Sequence, residues 1–270
     1  MNGRSGESGR TAPFSPSLAV ASLSGEADAE WARTAAPHVG AAFLGGIAID
    51  EESRAAARKL RDRGRSEFLP PDPIGFLRRQ LAELASVPVR PGVNVRSATL
   101  EPVRTAAAAC SEAGAILEVN AHCRQSELRA VGCGESLLRD PDRLCEYVEA
   151  AAGTGAAVSV KVRTEVPGVD LPATACRLAE AGAELLHVDA MDSEPVVGEV
   201  VRALEATDRT AARPAVIANN GVRDRETVRE YLEHGADAVS VGRPSDRPEL
   251  LARVGAAVED YFAADSAAPP

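Results

Sequence analysis

The chain has 270 residues, of which 45% are hydrophobic, and its 30 basic and 40 acidic side chains give a formal net charge of −10. This length suits one α/β domain of about 250 residues, and the acidic balance argues against the broad basic surface of a nucleic-acid-binding protein. No stretch offers the roughly 18 uninterrupted apolar residues of a membrane span, so we expect a cytoplasmic protein without a membrane segment.

The basic residues are almost all arginine, with lysine only at Lys59 and Lys161. An acidic, lysine-poor, alanine-rich composition is typical of a halophilic host, where negative charge keeps proteins in solution. The five cysteines form no C-x-x-C pair, which predicts free thiols without disulfides. A metal site at His122, Cys123 and Cys133 would lack the usual ligand spacing, so we expect none.

Eight short apolar runs predict eight β-strands, each separated from the next by a segment with helical periodicity. Several of these runs follow a Gly-Ala pair, in which the glycine caps the preceding helix. Such an apolar run predicts a strand that is buried on both faces. In chain order the strand-bearing segments are 17–22, 40–46, 90–95, 112–119, 153–160, 180–188, 214–218 and 233–241. Eight alternating units predict an α/β fold, the (β/α)8 TIM barrel.

The alternative fold is a doubly wound open sheet, which more often has a glycine-rich phosphate loop after its first strand. The corresponding segment here, "ASLSGEAD", contains no G-x-G-x-x-G motif. We therefore predict a single barrel domain over residues 15–262, with a flexible N-terminal tail at 1–14 and a flexible C-terminal tail at 263–270.

Polar side chains stand at the ends of six predicted strands. In a TIM barrel the C-terminal strand ends form the active site, and their convergence indicates a ligand pocket. In strand order the residues are Asn94; Asn120, His122 and Cys123; Lys161 and Arg163; His187 and Asp189; Asn219, Asn220 and Gly221; and Gly242 with Arg243.

Lys161 and Cys123 are the most informative of these residues. A lysine in an apolar strand could direct its ammonium outwards to solvent, but among so many arginines it indicates charge stabilisation or Schiff-base chemistry. Cys123 lies in a polar loop beside His122 and Arg124, whose positive charge favours a thiolate, so it could be a proton donor or a nucleophile. His187 could titrate, bind phosphate or belong to a hydrogen-bond network.

The turns "IANNGV" and "VGRPSD" end strands 7 and 8, where barrels commonly bind phosphate through backbone N–H groups. Gly221 and Gly242 let the backbone approach a ligand closely, and Arg243 adds a charged clamp. Two ordinary turns are the alternative, which is weaker because both turns contain glycine at the favoured positions.

A series of motifs also follows one family's order. "NAHCRQ", "VGCGESLL" and "VSVKVR" are followed by "HVDA", "IANNGV" and "GADAVSVGRP". From about residue 115 to residue 244 they resemble the flavin-dependent tRNA dihydrouridine synthases, whose strand 4 ends in Asn-x-Gly-Cys-Pro and whose strand 5 contains Lys-x-Arg. The similarity is greatest to a shorter archaeal branch, which implies that the C-terminal helical domain that grips tRNA is absent.

This resemblance implies a role for each matching residue. Cys123 takes the place of the general acid, and Lys161 that of the lysine beside the flavin pyrimidine ring, so both are predicted catalytic residues. Asn94 stands where the family usually has glutamine. The predicted FMN site comprises Asn94, Asn120, Lys161, His187, Asn219, Asn220, Gly221, Gly242 and Arg243.

The chain also departs from the family pattern. His122 and Arg124 replace the glycine and proline around the cysteine, and Asn220-Gly221 replaces Gly-Asp or Gly-Glu. A cysteine with its ordinary pKa near 8.5 is an acid at neutral pH, unless such neighbours lower that value.

The resemblance implies an FMN-dependent oxidoreductase that acts on a pyrimidine-type C=C bond, free or in tRNA, with a nicotinamide cofactor as a possible electron donor. One alternative is a small-molecule flavoenzyme of the dihydroorotate dehydrogenase type. Another is a barrel without redox chemistry that binds a phosphate ligand.

Overall fold

The computed structural model describes residues 13–207 and 213–267, and it confirms the (β/α)8 barrel. Each strand pairs in parallel with the next, and β8 pairs with β1 to close the barrel. The strands are β1 Leu18–Val20, β2 Ala41–Ala48, β3 Arg90–Arg96, β4 Ile116–Asn120, β5 Ala157–Arg163, β6 Leu185–Asp189, β7 Ala215–Asn219 and β8 Ala238–Val241.

The helices surround the barrel. They are α1 Ala29–Ala35, α2 Glu51–Asp62, α3 Pro73–Leu84, α4 Leu100–Glu112, α5 Ser126–Ala130, α6 Glu135–Leu138, α7 Pro141–Ala152, α8 Leu171–Glu180, α9 Pro195–Ala206, α10 Arg225–Glu233 and α11 Pro248–Ala267, with a 3-10 turn at Arg243–Asp246. An aspartate caps the N-terminus of six of them and accepts a backbone N–H of the first turn: Asp28, Asp50, Asp72, Asp140, Asp170 and Asp224.

The barrel interior has an apolar lower part and a polar upper part. The lower part is a buried cluster that includes Phe43, Ile116, Leu185 and Ile217. Because side chains alternate between the two faces of a strand, the next inward positions are two residues further along, and they hold polar groups such as Glu118 and His187. The polar layer therefore lies directly below the C-terminal mouth of the barrel.

The predicted domain boundaries need correction at both ends. Phe14, placed in the N-terminal tail, is 7% exposed and packs in the interior cluster. Helix α11 continues past residue 262 to Ala267, because the alanine-rich segment favours a helix and its first strong helix breaker is Pro269. Residues 1–12 and 268–270 lie outside the described part.

No helix within the described ranges is both long and apolar enough to cross a membrane.

Candidate active site

A fully buried hydrogen-bond network fills the polar layer of the barrel, with Glu118 at its centre. Glu118 Oε1 accepts from Asn94 Nδ2 at 2.8 Å, and Oε2 accepts from Ser159 Oγ at 3.1 Å. Oε2 also lies 2.8 Å from His187 Nδ1, and His187 Nε2 lies 2.7 Å from Ser240 Oγ. The network thus joins strands β3, β4, β5, β6 and β8, and it holds two predicted cofactor residues, Asn94 and His187, in place.

The charges in this network follow from burial and from Lys161. Burial alone would raise the pKa of Glu118, but His187 and Lys161 outweigh it and lower the pKa to about 2. Burial and the charge of Lys161 lower the pKa of His187. At neutral pH the imidazole is therefore neutral, so Nδ1–H donates to the carboxylate and Nε2 accepts from the Ser240 hydroxyl.

Asn120 and Lys161 lie at the next level towards the mouth. Asn120 Nδ2 donates to Asn94 Oδ1 at 2.8 Å, and Lys161 is paired in register with Asn120 on one side and His187 on the other. Lys161 is only 3% exposed, yet within the described residues its ammonium has no acidic oxygen at ion-pair distance. It is a buried cation that is free to act on a ligand.

Two glycines of β2 make room for Asn94. At Gly46 a Cβ atom would stand 2.7 Å from Asn94 Oδ1, and at Gly45, with φ of 98°, it would stand 2.5 Å from the Asn94 carbonyl oxygen. Side chains at either position would collide with Asn94 and disturb its amide.

Cys123 follows β4 in a loop that is held by three backbone hydrogen bonds. Asn120 Oδ1 accepts from the N–H groups of His122 at 3.4 Å and of Cys123 at 3.2 Å, and the Cys123 carbonyl accepts from Glu135 N–H at 2.9 Å. His122 Nδ1 lies 3.6 Å from Asp189 Oδ2. The loop thus brings a thiol, an imidazole and a carboxylate together at the mouth.

Arg96 is a buried cation beside Cys123. Its Nη1 donates to Glu67 Oε2 at 2.6 Å, and its Nη2 donates to the Ser24 hydroxyl. Burial raises the pKa of Cys123, but the charges of Arg96 and His122 outweigh it and lower the pKa to about 6. Arg124, the cation that the sequence places beside this cysteine, is exposed, and Arg96 supplies the buried charge.

The predicted phosphate-binding residues lie in the loops after β7 and β8. Asn219 is buried and donates to the Ser240 carbonyl at 3.1 Å, while the exposed Asn220 donates to Asp189 Oδ1 at 3.2 Å. Open space adjoins Gly242, where a Cβ would meet no heavy atom within 4 Å. Arg243 is exposed. These two loops leave backbone and a guanidinium accessible at one side of the mouth.

A cavity of about 510 Å³ opens beside the end of β5. Arg163 forms one wall, and its Nη1 lies 3.6 Å from Glu135 Oε2. The cavity also carries three carboxylates, those of Glu165, Asp170 and Glu199. Arg163 lies two residues after Lys161 on β5, so both side chains belong to the same face of that strand.

Sequence reasoning did not find Glu118, Ser159, Ser240 and Arg96. The detectable signal was the period of two along a strand, which places Glu118 on the same face as Asn120 and Ser159 on the same face as Lys161. Arg96 stands two residues after Asn94 and was detectable in the same way. Its partner Glu67 lies between α2 and α3, far from any predicted motif.

Comparison with known proteins gives the family of this chain. A family model described as Dihydrouridine synthase (Dus) matches residues 92–268, more than half of the chain. The chain belongs to the dihydrouridine synthase family. This is a flavin-type oxidoreductase family. The uncharacterized protein MJ0144 of Methanocaldococcus jannaschii is 23% identical over 237 residues, which cover 84% of this chain and 88% of that protein.

Solved structures with low identity share the fold. DHODH of Eimeria tenella, in complex with ferulenol, has a TM-score of 0.67 at 14% identity, covering 92% of this chain and 82% of that one. FabK (M276A) of Thermotoga maritima has a TM-score of 0.56 at 14% identity, covering 87% of this chain and 63% of FabK. This chain thus spans less than two thirds of the FabK length.

Proposed function

We propose that this protein is an FMN-dependent oxidoreductase that reduces or oxidises a pyrimidine-type C=C bond. The observation that carries the proposal is the buried ammonium of Lys161 at the barrel mouth, flanked by the ordered amides of Asn94 and Asn120. A buried cation beside fixed amides suits an electron-rich heterocycle that has its own hydrogen-bond donors and acceptors. Membership of the dihydrouridine synthase family supports the same assignment.

The residues at the mouth fit FMN. Lys161, with Asn94 and Asn120, would bind the flavin ring, and His187 would hold the network beneath it through Glu118. Asn219 would bind from the end of β7. The loops of Asn220-Gly221 and Gly242-Arg243 would take the phosphate, because they leave open space at Gly242 and an accessible guanidinium.

When bound, FMN supplies hydride chemistry. The protein's own side chains then have two tasks at the mouth. Lys161 would stabilise negative charge on the flavin or on the substrate oxygen. The Cys123 loop would provide the proton for the second carbon of the reduced bond, because its thiol contacts the imidazole of His122.

The charge distribution favours a small pyrimidine as the substrate. The chain carries a net charge of −10, and the cavity beside Arg163 carries the carboxylates of Glu165, Asp170 and Glu199. Carboxylates in this cavity, together with the negative net charge, repel the phosphates of an RNA chain. Electrons would come from a nicotinamide cofactor.

A visible spectrum of the purified full chain tests the proposal, first as isolated and then after incubation with FMN. We expect the absorbance of bound flavin, which bleaches when reduced nicotinamide is added and returns when a pyrimidine substrate is supplied. A preparation that stays colourless after incubation with FMN would refute the proposal and favour a barrel that binds a phosphate ligand without redox chemistry.

A further inference from the structure

Cys123 lies among cationic groups that come from different strands. The guanidinium of Arg96 from β3, which is 3% exposed, contacts the thiol and is the charge that acts on it most strongly. Glu67 and Ser24 fix its two Nη atoms, while its buried Nε has no hydrogen-bond partner within the described residues. The guanidinium thus keeps one N–H that neither Glu67 nor Ser24 occupies.

The second cation is the imidazole of His122, backed by a carboxylate. Its Nδ1 lies 3.6 Å from Asp189 Oδ2, and Asn220 Nδ2 fixes the other oxygen of Asp189 at 3.2 Å. Burial opposes protonation of His122, but Cys123 and Asp189 outweigh it and raise its pKa. The imidazole therefore holds a proton more readily than an ordinary histidine.

Neighbouring residues hold the backbone of Cys123 in place. Asn120 Oδ1 accepts the Cys123 N–H at 3.2 Å, and Glu135 N–H donates to the Cys123 carbonyl at 2.9 Å. Gly134 packs directly against this residue, since a Cβ there would stand 2.4 Å from the Cys123 carbonyl oxygen. The arrangement is built into the fold and does not depend on a flexible loop.

The remaining charges near the cluster do not cancel the two cations. The charged and titratable groups that act on Cys123 and His122 are Arg96 on β3, Lys161 on β5, Asp189 on β6 and Cys133 after β4. Glu67, between α2 and α3, acts on Arg96, while Asp50 and Arg143 act on Cys133. Glu67 is paired with Arg96, and Asp189 faces His122. The two charges that act most strongly on the Cys123 thiol are therefore those of Arg96 and His122.

We propose that Cys123 rests as a thiolate between Arg96 and a protonated His122, and that the proton for the substrate is stored on His122. In the reduction, an N–H bond of His122 breaks as Sγ–H forms, and Sγ–H breaks as the substrate C–H forms. Neutral His122 then takes a proton from water. His122 and Arg96 are positioning residues that act through Cys123, and the proton role rests on the proposed function.

Alkylation of the full chain with iodoacetamide over a pH series, read peptide by peptide, tests the thiolate without flavin or substrate. Cys145 is an internal control, because burial raises its pKa. We expect the pH at which alkylation is half-maximal to be well below that of Cys145 for Cys123. Arg96→Met and His122→Gly should each move it upwards by about one pH unit or more, while Arg96→Lys keeps the charge and the low midpoint.

Equal midpoints for Cys123 and Cys145 in the wild type would overturn the proposal, and so would an unmoved midpoint in His122→Gly. The side chain of His122 is partly exposed, at 23%, so this variant tests the pair even if Arg96→Met fails to fold.

Asp189→Asn tests whether His122 holds the proton that passes to Cys123. Loss of the carboxylate lowers the pKa of His122, so the rate of substrate reduction should fall at a lower pH than in the wild type, with flavin content unchanged. A pH dependence of the reduction rate equal to that of the wild type would overturn the role of His122. If the wild type reduces no pyrimidine at all, the proposed function and the proton role fail together, while the alkylation midpoints still decide the thiolate.

Discussion

Glu118 and His187 form a completely buried pair, with Glu118 Oε2 and His187 Nδ1 2.8 Å apart. A carboxylate at this depth is stable only because donors from several strands converge on it. The pair therefore connects the stability of the barrel to the order of the site, since the same carboxylate orients Asn94 for a ligand.

Glu118→Ala should destabilise the protein by about 3–5 kcal/mol, because it leaves Asn94, Ser159 and His187 without their shared acceptor and removes one of the two carboxylates near Lys161. Urea unfolding measures the loss. The matched control is Glu101→Ala on the surface of α4, where the carboxylate is 78% exposed and 3.6 Å from Arg104. It should change stability by less than about 0.5 kcal/mol. A loss for Glu118→Ala no larger than the control would contradict the role of the network.

The stability of the protein should fall in acid. Glu118 and Asp189 both have a folded-state pKa of about 2, below their ordinary values of 4.5 and 3.8. Both groups bind fewer protons folded than unfolded, so their stabilisation is present above the ordinary values and is lost as the pH falls towards 2. Urea midpoints measured through this window should decline steeply, and Glu118→Gln should flatten the decline. An equal slope in that variant would contradict the assignment.

The fold was predictable from sequence because its signals are local. Glycine at helix ends and apolar runs without alternation mark parallel strands at fixed intervals, and the ends of those strands meet at one face whatever the loops do. Lys161 and Cys123 could be placed at the mouth for this reason.

The partners of those residues could not be predicted. Arg96 contacts Glu67 and Ser24, which are 29 and 72 positions away in the chain. The periodicity of a sequence does not indicate contacts over such separations. The protonation state of Cys123 depends on this arginine. The sequence therefore predicted the position of the thiol but not its charge. The helix end at Ala267 was missed because alanine-rich segments carry no local stop signal before proline.

Lys161→Met should weaken FMN binding by about 10- to 100-fold, the range for a lost hydrogen bond to a charged group. Titration of the flavin-free protein with FMN, followed by absorbance, measures the change. Lys59→Met is the matched control, because Lys59 is the other lysine of the chain and lies exposed on α2. If both variants bind FMN like the wild type, Lys161 does not contact the flavin.

Binding of bulk tRNA should be weak, while a free pyrimidine such as orotate should bind. Titrations of both ligands at two salt concentrations distinguish binding of RNA phosphates from binding of a pyrimidine ring, because phosphate contacts weaken steeply with salt. The basic segment with Arg61, Arg63 and Arg65 is the best candidate for a missed RNA surface. Arg63 Nε, however, lies 3.0 Å from Glu127 Oε1, and Arg61 Nη2 lies 3.8 Å from Asp62 Oδ1. Tight, salt-sensitive tRNA binding would contradict this prediction and show a basic surface that contacts RNA phosphates.

Cys123→Ala should slow substrate reduction by roughly 10²- to 10⁴-fold, the usual contribution of a positioned proton donor. Fold and flavin content should stay unchanged, because the loop is held through the Cys123 backbone and the thiol is not part of the Glu118 network. Single-turnover mixing of reduced protein with substrate measures the step, and the flavin spectrum reports loading.

The matched control for this prediction is Cys133→Ala, ten positions further along the chain. Cys133 is 1% exposed and packs with Ala56, Leu60 and Leu128, and burial raises its pKa to about 12. It is therefore a neutral packing group, and its loss should cost about 1 kcal/mol of stability with little effect on the rate. Normal turnover in Cys123→Ala together with slow turnover in Cys133→Ala would assign the chemistry to the other cysteine.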